Sequence, residues 1–247
     1  MRYLIPLFLL LLPVTVLAQQ KAEVARKNTI KVDLTSYWLY RNAIVFSYER
    51  VMKPHQTLAV TAGYQQLPPL GFLGSDSVNV QREANASGLK LGAEYRFYLA
   101  RENKYNAPRG VYIGPYFSYH NYTNGRILEV TTNGTPETVT LDTDLNILNV
   151  GVQLGYQFVL NNRWAIDLVL IGPSASNYSI QTKLGGNYSF DPEDVKNEVI
   201  QAMIDRFPAF EQLLSEKEFE GKGKISTWSA GYRYQFQIGY HFGRKKK

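Results

Sequence analysis

The residues of this chain best suited to chemistry are few. Its histidines are His55, His120 and His241, and none stands at zinc-ligand spacing from a second histidine or a glutamate. Cysteine is absent, which removes disulfides, thiolate metal sites and a cysteine nucleophile together. No Gly-x-Ser-x-Gly elbow or phosphate-cradling glycine loop occurs. Ser118 and His120 alternate onto one side of an extended run and give a lipid-modifying hydrolase as a competing reading, but a triad also needs an acid that orients the histidine. These patterns assign no catalytic residue, metal ligand or cofactor.

What remains is a set of ionic side chains carried by extended runs: Lys31, Asp33, Glu49, Lys90, Glu94, Arg96, Asp167 and Arg233, four of each sign. Each occupies the polar phase of a period-two pattern whose other phase is apolar. From Trp228 to Phe242 the large residues are Trp228, Ala230, Tyr232, Tyr234, Phe236, Ile238, Tyr240 and Phe242, with Ser229, Gly231, Arg233, Gln235, Gln237, Gly239 and His241 between them. Such alternation is a β-strand with one apolar and one polar face. The same reading gives runs over Thr29–Trp38, Ala43–Val51, Thr57–Gln66, Gly88–Leu99, Val111–Tyr122, Leu145–Leu160 and Trp164–Ile171, the last extendable to Ile180. With Ile225–Phe242 that makes eight, an even number as single-chain outer-membrane barrels require. Pro115 inside the fifth run predicts a bulge. Asn161-Asn162 predicts a tight hairpin. Ile171 falls in the polar phase of its run.

If the apolar phase faces acyl chains, the eight ionic residues are enclosed. A narrow eight-stranded barrel fills its interior with side chains, and balanced signs let them pair. The expectation is a plugged lumen with a lumen charge network. The inverse arrangement, a soluble lipocalin-like barrel with an apolar lumen, is the alternative.

The 247 residues carry a net charge of +6, with 18 Tyr and 12 Phe. The slightly negative mean hydropathy excludes a helical membrane bundle and permits a barrel. Residues 1–18 read as a signal peptide, with Arg2 before the apolar run Leu4–Leu17 and small residues at its end, and residues 19–28 as a polar lead. The barrel then spans 29–242, followed by a basic tail over 243–247. Three connections assigned to the outer side are long: Leu67–Asn85, Thr123–Asp144 and Gln181–Lys224. Within the third, Asp191-Pro192-Glu193 starts a helical insert over about 191–220. Its stripe of Val195, Val199, Met203 and Phe207 offers a partner surface.

The apolar start, the run VDLTSYWLYRNAIVFSYERVMKPHQTLAVTAGYQQLP, the segment GLKLGAEYRFYL and the closing YQFQIGYHF together resemble small outer-membrane β-barrels of Bacteroidota-type bacteria. The nearest is a family known only as a domain of unknown function, similar in layout to OmpA and OmpX barrels. The resemblance covers nearly all of the chain after residue 18 and implies no catalytic residues. The expectation is therefore all-β: an eight-stranded antiparallel transmembrane β-barrel in the cell outer membrane, monomeric and not an enzyme. Its role would be envelope-structural, or surface binding and adhesion through loops. The expected partners are outer-membrane lipids and lipopolysaccharide, with an extracellular protein or glycan at the loops and no nucleic acid.

Overall fold

The computed structural model describes residues 26–67, 78–132, 135–185 and 224–243. The signal peptide, the helical insert with its apolar stripe and the basic residues 244–247 lie outside these. The described chain forms β1 (Asn28–Asp33), α1 (Leu34–Leu39), β2 (Arg41–Lys53), β3 (Gln56–Gln66), β4 (Val78–Tyr98), β5 (Gly110–Thr132), β6 (Thr135–Leu160), β7 (Trp164–Ile171), β8 (Pro173–Gly185), β9 (Lys224–Tyr232) and β10 (Gln235–Phe242). All pairings are antiparallel, in the order β5-β4-β3-β2-β1-β10-β7-β6-β8-β9, and β5 also pairs β6. β7 and β8 are one ribbon interrupted at Gly172, and β9 and β10 are one ribbon interrupted at Arg233-Tyr234. The ten strands are thus eight ribbons, and the β1–β10 seam closes them into a ring. Residue Asn28, the β2–β3, β4–β5 and β6–β7 turns and Phe242 share one end, called here the terminal end.

The structure differs from the pattern expected of the sequence at several places. The first run is not a strand to Trp38. Asp33 ends β1 because its carboxylate accepts from the Ser36 backbone N–H at 3.1 Å and the Ser36 hydroxyl at 2.7 Å, an N-cap that turns the chain into α1. Pro115 makes no bulge: it sits opposite Val152 in an unbroken register with β6, and the β4–β5 ladder skips the pairs beside it without a change of register. Ile171 does not face inward. A register shift between β6 and β7 leaves Leu170 and Ile171 both about half exposed, and alternation resumes with opposite phase in β8. Finally, the connection Thr123–Asp144 is a hairpin arm, with the β5–β6 ladder continuing to Thr132 and Thr135. The β6–β7 turn is tight. Asn161 and Asn162 both have positive φ, 49° and 54°, and the Arg163 N–H donates to the Leu160 carbonyl at 3.0 Å.

The faces separate by polarity. Ile30, Phe46, Val60, Leu91, Phe117, Val150, Val152, Leu170 and Ile238 are exposed on the outer wall. The inner wall buries Lys31, Glu49, Arg96, Gln153, Gln157, Asp167 and Gln237. An apolar, lipocalin-like interior is the reverse of this arrangement.

Candidate functional site

The interior holds two connected groups of ionic residues. The first lies towards the terminal end. Lys31 of β1 donates to Glu49 Oε2 of β2 at 3.0 Å and to Asp167 Oδ2 of β7 at 2.5 Å. Arg96 of β4 reaches the same Asp167 oxygen through Nη1 at 2.6 Å and donates from Nε to Glu94 Oε2 at 3.0 Å. Neutral groups complete the carboxylates: Tyr112 donates to Asp167 Oδ1 at 2.7 Å, Thr57 to Glu49 Oε1 at 2.6 Å, and Gln153 to Glu94. The Arg96 guanidinium lies 4.3 Å from the centre of the Tyr112 ring. Strands β1 to β7 all contribute, so the group ties opposite walls together.

Isolated charges in such an interior would cost several kcal/mol each, so each must be matched by an opposite charge or hydrogen bonds. Two residues that make this possible carry no charge. Gln157 accepts from Arg96 Nη1 at 3.0 Å and from Tyr98. Gly155 lies where a Cβ would collide with the Tyr112 ring, so the missing side chain is what lets that ring reach Asp167. Alternation puts Gln153, Gln157, Tyr98 and Tyr112 on the inner face. It does not reveal which inner residues bond the ions.

The second group lies towards the opposite end. Lys90 donates to Asp33 Oδ2 at 2.8 Å and to the Ser36 hydroxyl at 2.9 Å, and Gln235 donates to the same Asp33 oxygen at 2.6 Å. Arg233 donates from Nη2 to Glu94 Oε1 at 3.3 Å and to Gln235, and stacks 4.8 Å from the Tyr116 ring centre. Above these pairs is a cavity of about 270 Å³, bordered by Lys90, Ser118, His120, Arg233, Tyr232 and Tyr234 among others. Tyr40, just after α1 and part of the lining, stacks on Tyr122 of β5 with ring centres 5.9 Å apart.

All eight ionic residues singled out by alternation are on the inner wall, and every one has an oppositely charged partner there. Ser118 and His120 share that wall, but their hydrogen bonds go elsewhere. Ser118 accepts from Asn149 at 3.0 Å, and the His120 Nδ1 lies 3.1 Å from the Gln65 amide. Among the described residues no cluster of three metal-ligating side chains occurs. A second cavity of about 390 Å³ opens at the terminal end, where the charged lining residues Arg26, Lys27, Lys53 and Arg109 are all cations. Arg26 and Arg109 donate there to the carbonyls of His241 and Val159, each at 3.0 Å.

Comparison with known proteins adds little chemistry. Residues 7–182 match the family described as "Protein of unknown function (DUF3575)". No curated protein matches the chain. Among solved structures, a major outer membrane protein from Thermus thermophilus is similar at 11% identity. That similarity covers 88% of this chain and 100% of the other, with a TM-score of 0.33.

Proposed function

The chain belongs to the DUF3575 family of proteins of unknown function, so its role has to be read from its own geometry, and we propose that it is a non-enzymatic, non-conducting barrel of an outer membrane. One observation carries this reading: a ring whose outer wall is a belt of exposed Ile, Val, Leu and aromatic residues encloses an interior of paired ions. In water such a belt would be far larger than the apolar patches soluble monomers leave exposed. In a bilayer it is the face that acyl chains solvate, and the β1–β10 pairing joins the strand edges towards the terminal end. Trp164, Phe158 and Tyr240 near the terminal end, and Trp228 towards the other, suit interfacial girdles.

The ionic group around Lys31, Arg96 and Asp167 acts as the plug, so the barrel serves the envelope by its wall and its connections. Lipids and lipopolysaccharide are its permanent surroundings, and a protein or glycan at the connections opposite the terminal end is the partner for a binding or adhesive role. Reconstitution in planar bilayers tests both parts of the proposal. The wild-type chain should insert and show no stepwise conductance, whereas Arg96→Ala should show small steps. Failure to insert would count against the membrane reading, and conducting wild-type protein against the plug.

A further inference from the structure

The ring is closed at the terminal end but not at every height. β1 stops at Asp33, which faces Gln237 of β10, because Asp33 caps α1. Beyond that point the β9–β10 ribbon pairs with β7 and β8 on one side, and among the described residues no strand pairs with its other side. The opposing stretch of β2, Arg41–Val45, likewise extends past the last β1 pair, Val32 with Phe46. α1 crosses this interval, held by a hydrogen bond from the Phe236 N–H to the Thr35 hydroxyl at 2.7 Å and by Trp38 packing on Phe236 with ring centres 5.8 Å apart. The wall there is a slot spanned by six residues of helix.

The 270 Å³ cavity leads into this slot. Its lining includes Leu39, Tyr232 and Tyr234, all of them exposed on the outer surface, together with the inward-facing Lys90 and Arg233. A cavity lined by residues of both faces reaches the wall as well as the lumen, where His120, Ile147 and Asn149 also border it. The opening is also in the apolar belt: the Tyr232 hydroxyl bonds the carbonyl of Leu170, beside exposed Ile171.

The ions at the cavity are unevenly covered. Asp33 and Glu94 have side chains 0% and 2% exposed, while their partners Lys90 and Arg233 are 15% and 19% exposed. The carboxylates are sealed behind the cations, so an entering molecule meets positive charge. The volume is below the ~300–1,000 Å³ of sites that enclose a whole drug-sized ligand. It suits a head and leaves a chain outside.

We propose that the slot admits the anionic head of an amphipathic lipid from the surrounding layer, with its phosphate or carboxylate against Lys90 and Arg233. The acyl chain lies in the slot against Leu39, Tyr232 and Tyr234, beside Trp38. The proposal rests on the reading that the apolar belt faces lipid. It makes the barrel a receptor for a lipid that enters sideways and goes no further, because the Lys31–Arg96–Asp167 group lies beneath.

The chain has three tryptophans, which makes bromine quenching site-selective. In Trp164→Phe/Trp228→Phe protein, Trp38 is the sole reporter, and neutral detergent keeps the full chain in solution. Chain-brominated fatty acid and chain-brominated phosphatidylglycerol should quench it saturably. Whichever of the two saturates at lower concentration identifies a carboxylate or a phosphate head. Asp33→Asn/Lys90→Gln removes one cation without orphaning a buried charge, and Asn still caps α1; it should weaken anionic-lipid quenching by about tenfold or more. Equal quenching by brominated phosphatidylcholine, or unchanged affinity in the folded double variant, would overturn the site. The belt is checked separately in vesicles with Trp164 as sole reporter: brominated phosphatidylcholine should quench it whether or not the slot binds a head.

Discussion

Lys31 and Asp167 are 136 residues apart in sequence and 2.5 Å apart at their charged atoms, on strands separated by β10. Asp167 also receives Arg96 and Tyr112, so one carboxylate anchors three side chains from three strands. Removing one member of such a buried set leaves the others uncompensated. Asp167→Asn should therefore lower stability by about 3–5 kcal/mol. Urea unfolding in a defined detergent measures it, and a change below about 1 kcal/mol would mean the group is solvated rather than structural.

Gly155 and Tyr112 make a second prediction. A methyl group at 155 would overlap the Tyr112 ring, so Gly155→Ala should cost about 1–3 kcal/mol. The same substitution made beside Tyr112→Val should cost clearly less, since the clash is gone. A double-mutant cycle with no coupling would refute the proposed close contact.

The β6–β7 turn has a simple backbone test. Asn161 and Asn162 both lie in the left-handed region, where alanine is disfavoured by about 1–2 kcal/mol per residue. Alanine at either place should destabilise by that order, and glycine should be nearly neutral. Thermal shifts of the four single variants give the comparison.

The direction of the faces is testable in vesicles. A spin label at Val152, on the outer wall, should relax strongly with oxygen, which concentrates among acyl chains. A label at Ser118, in the cavity, should respond less to oxygen. The reverse pattern would invert the barrel.

Much of this was legible in the residues themselves. Period-two alternation fixes which face Lys31, Glu49, Lys90, Arg96, Asp167 and Arg233 occupy, because side-chain direction in a strand depends on parity alone. Asp33 shows where parity fails: one side chain serves as a strand residue, a helix cap and an ion-pair partner, and the first of these roles hides the second. Leu170 and Ile171 fail differently, since a bulge inserts a residue without any marker such as Gly or Pro at the inserted place. The arm from Thr123 to Asp144 was hidden by its polarity. Its first pair, Thr123 with Asp144, joins two polar side chains by a hydrogen bond, and such residues read as loop when hydropathy is the only guide. Pairing partners among the ions were beyond the sequence, because they depend on strand stagger around the ring.

The shortness of β1 has a mechanical consequence. Six pairs join it to β10 and five to β2, whereas the β5–β6 ladder runs from Gly110 to Thr132. Under tension the ring would unzip first at this strand. Lys31, at its middle, is tied by its ammonium group past β10 to Asp167 of β7, so this short strand is held by a fastening independent of its ladders.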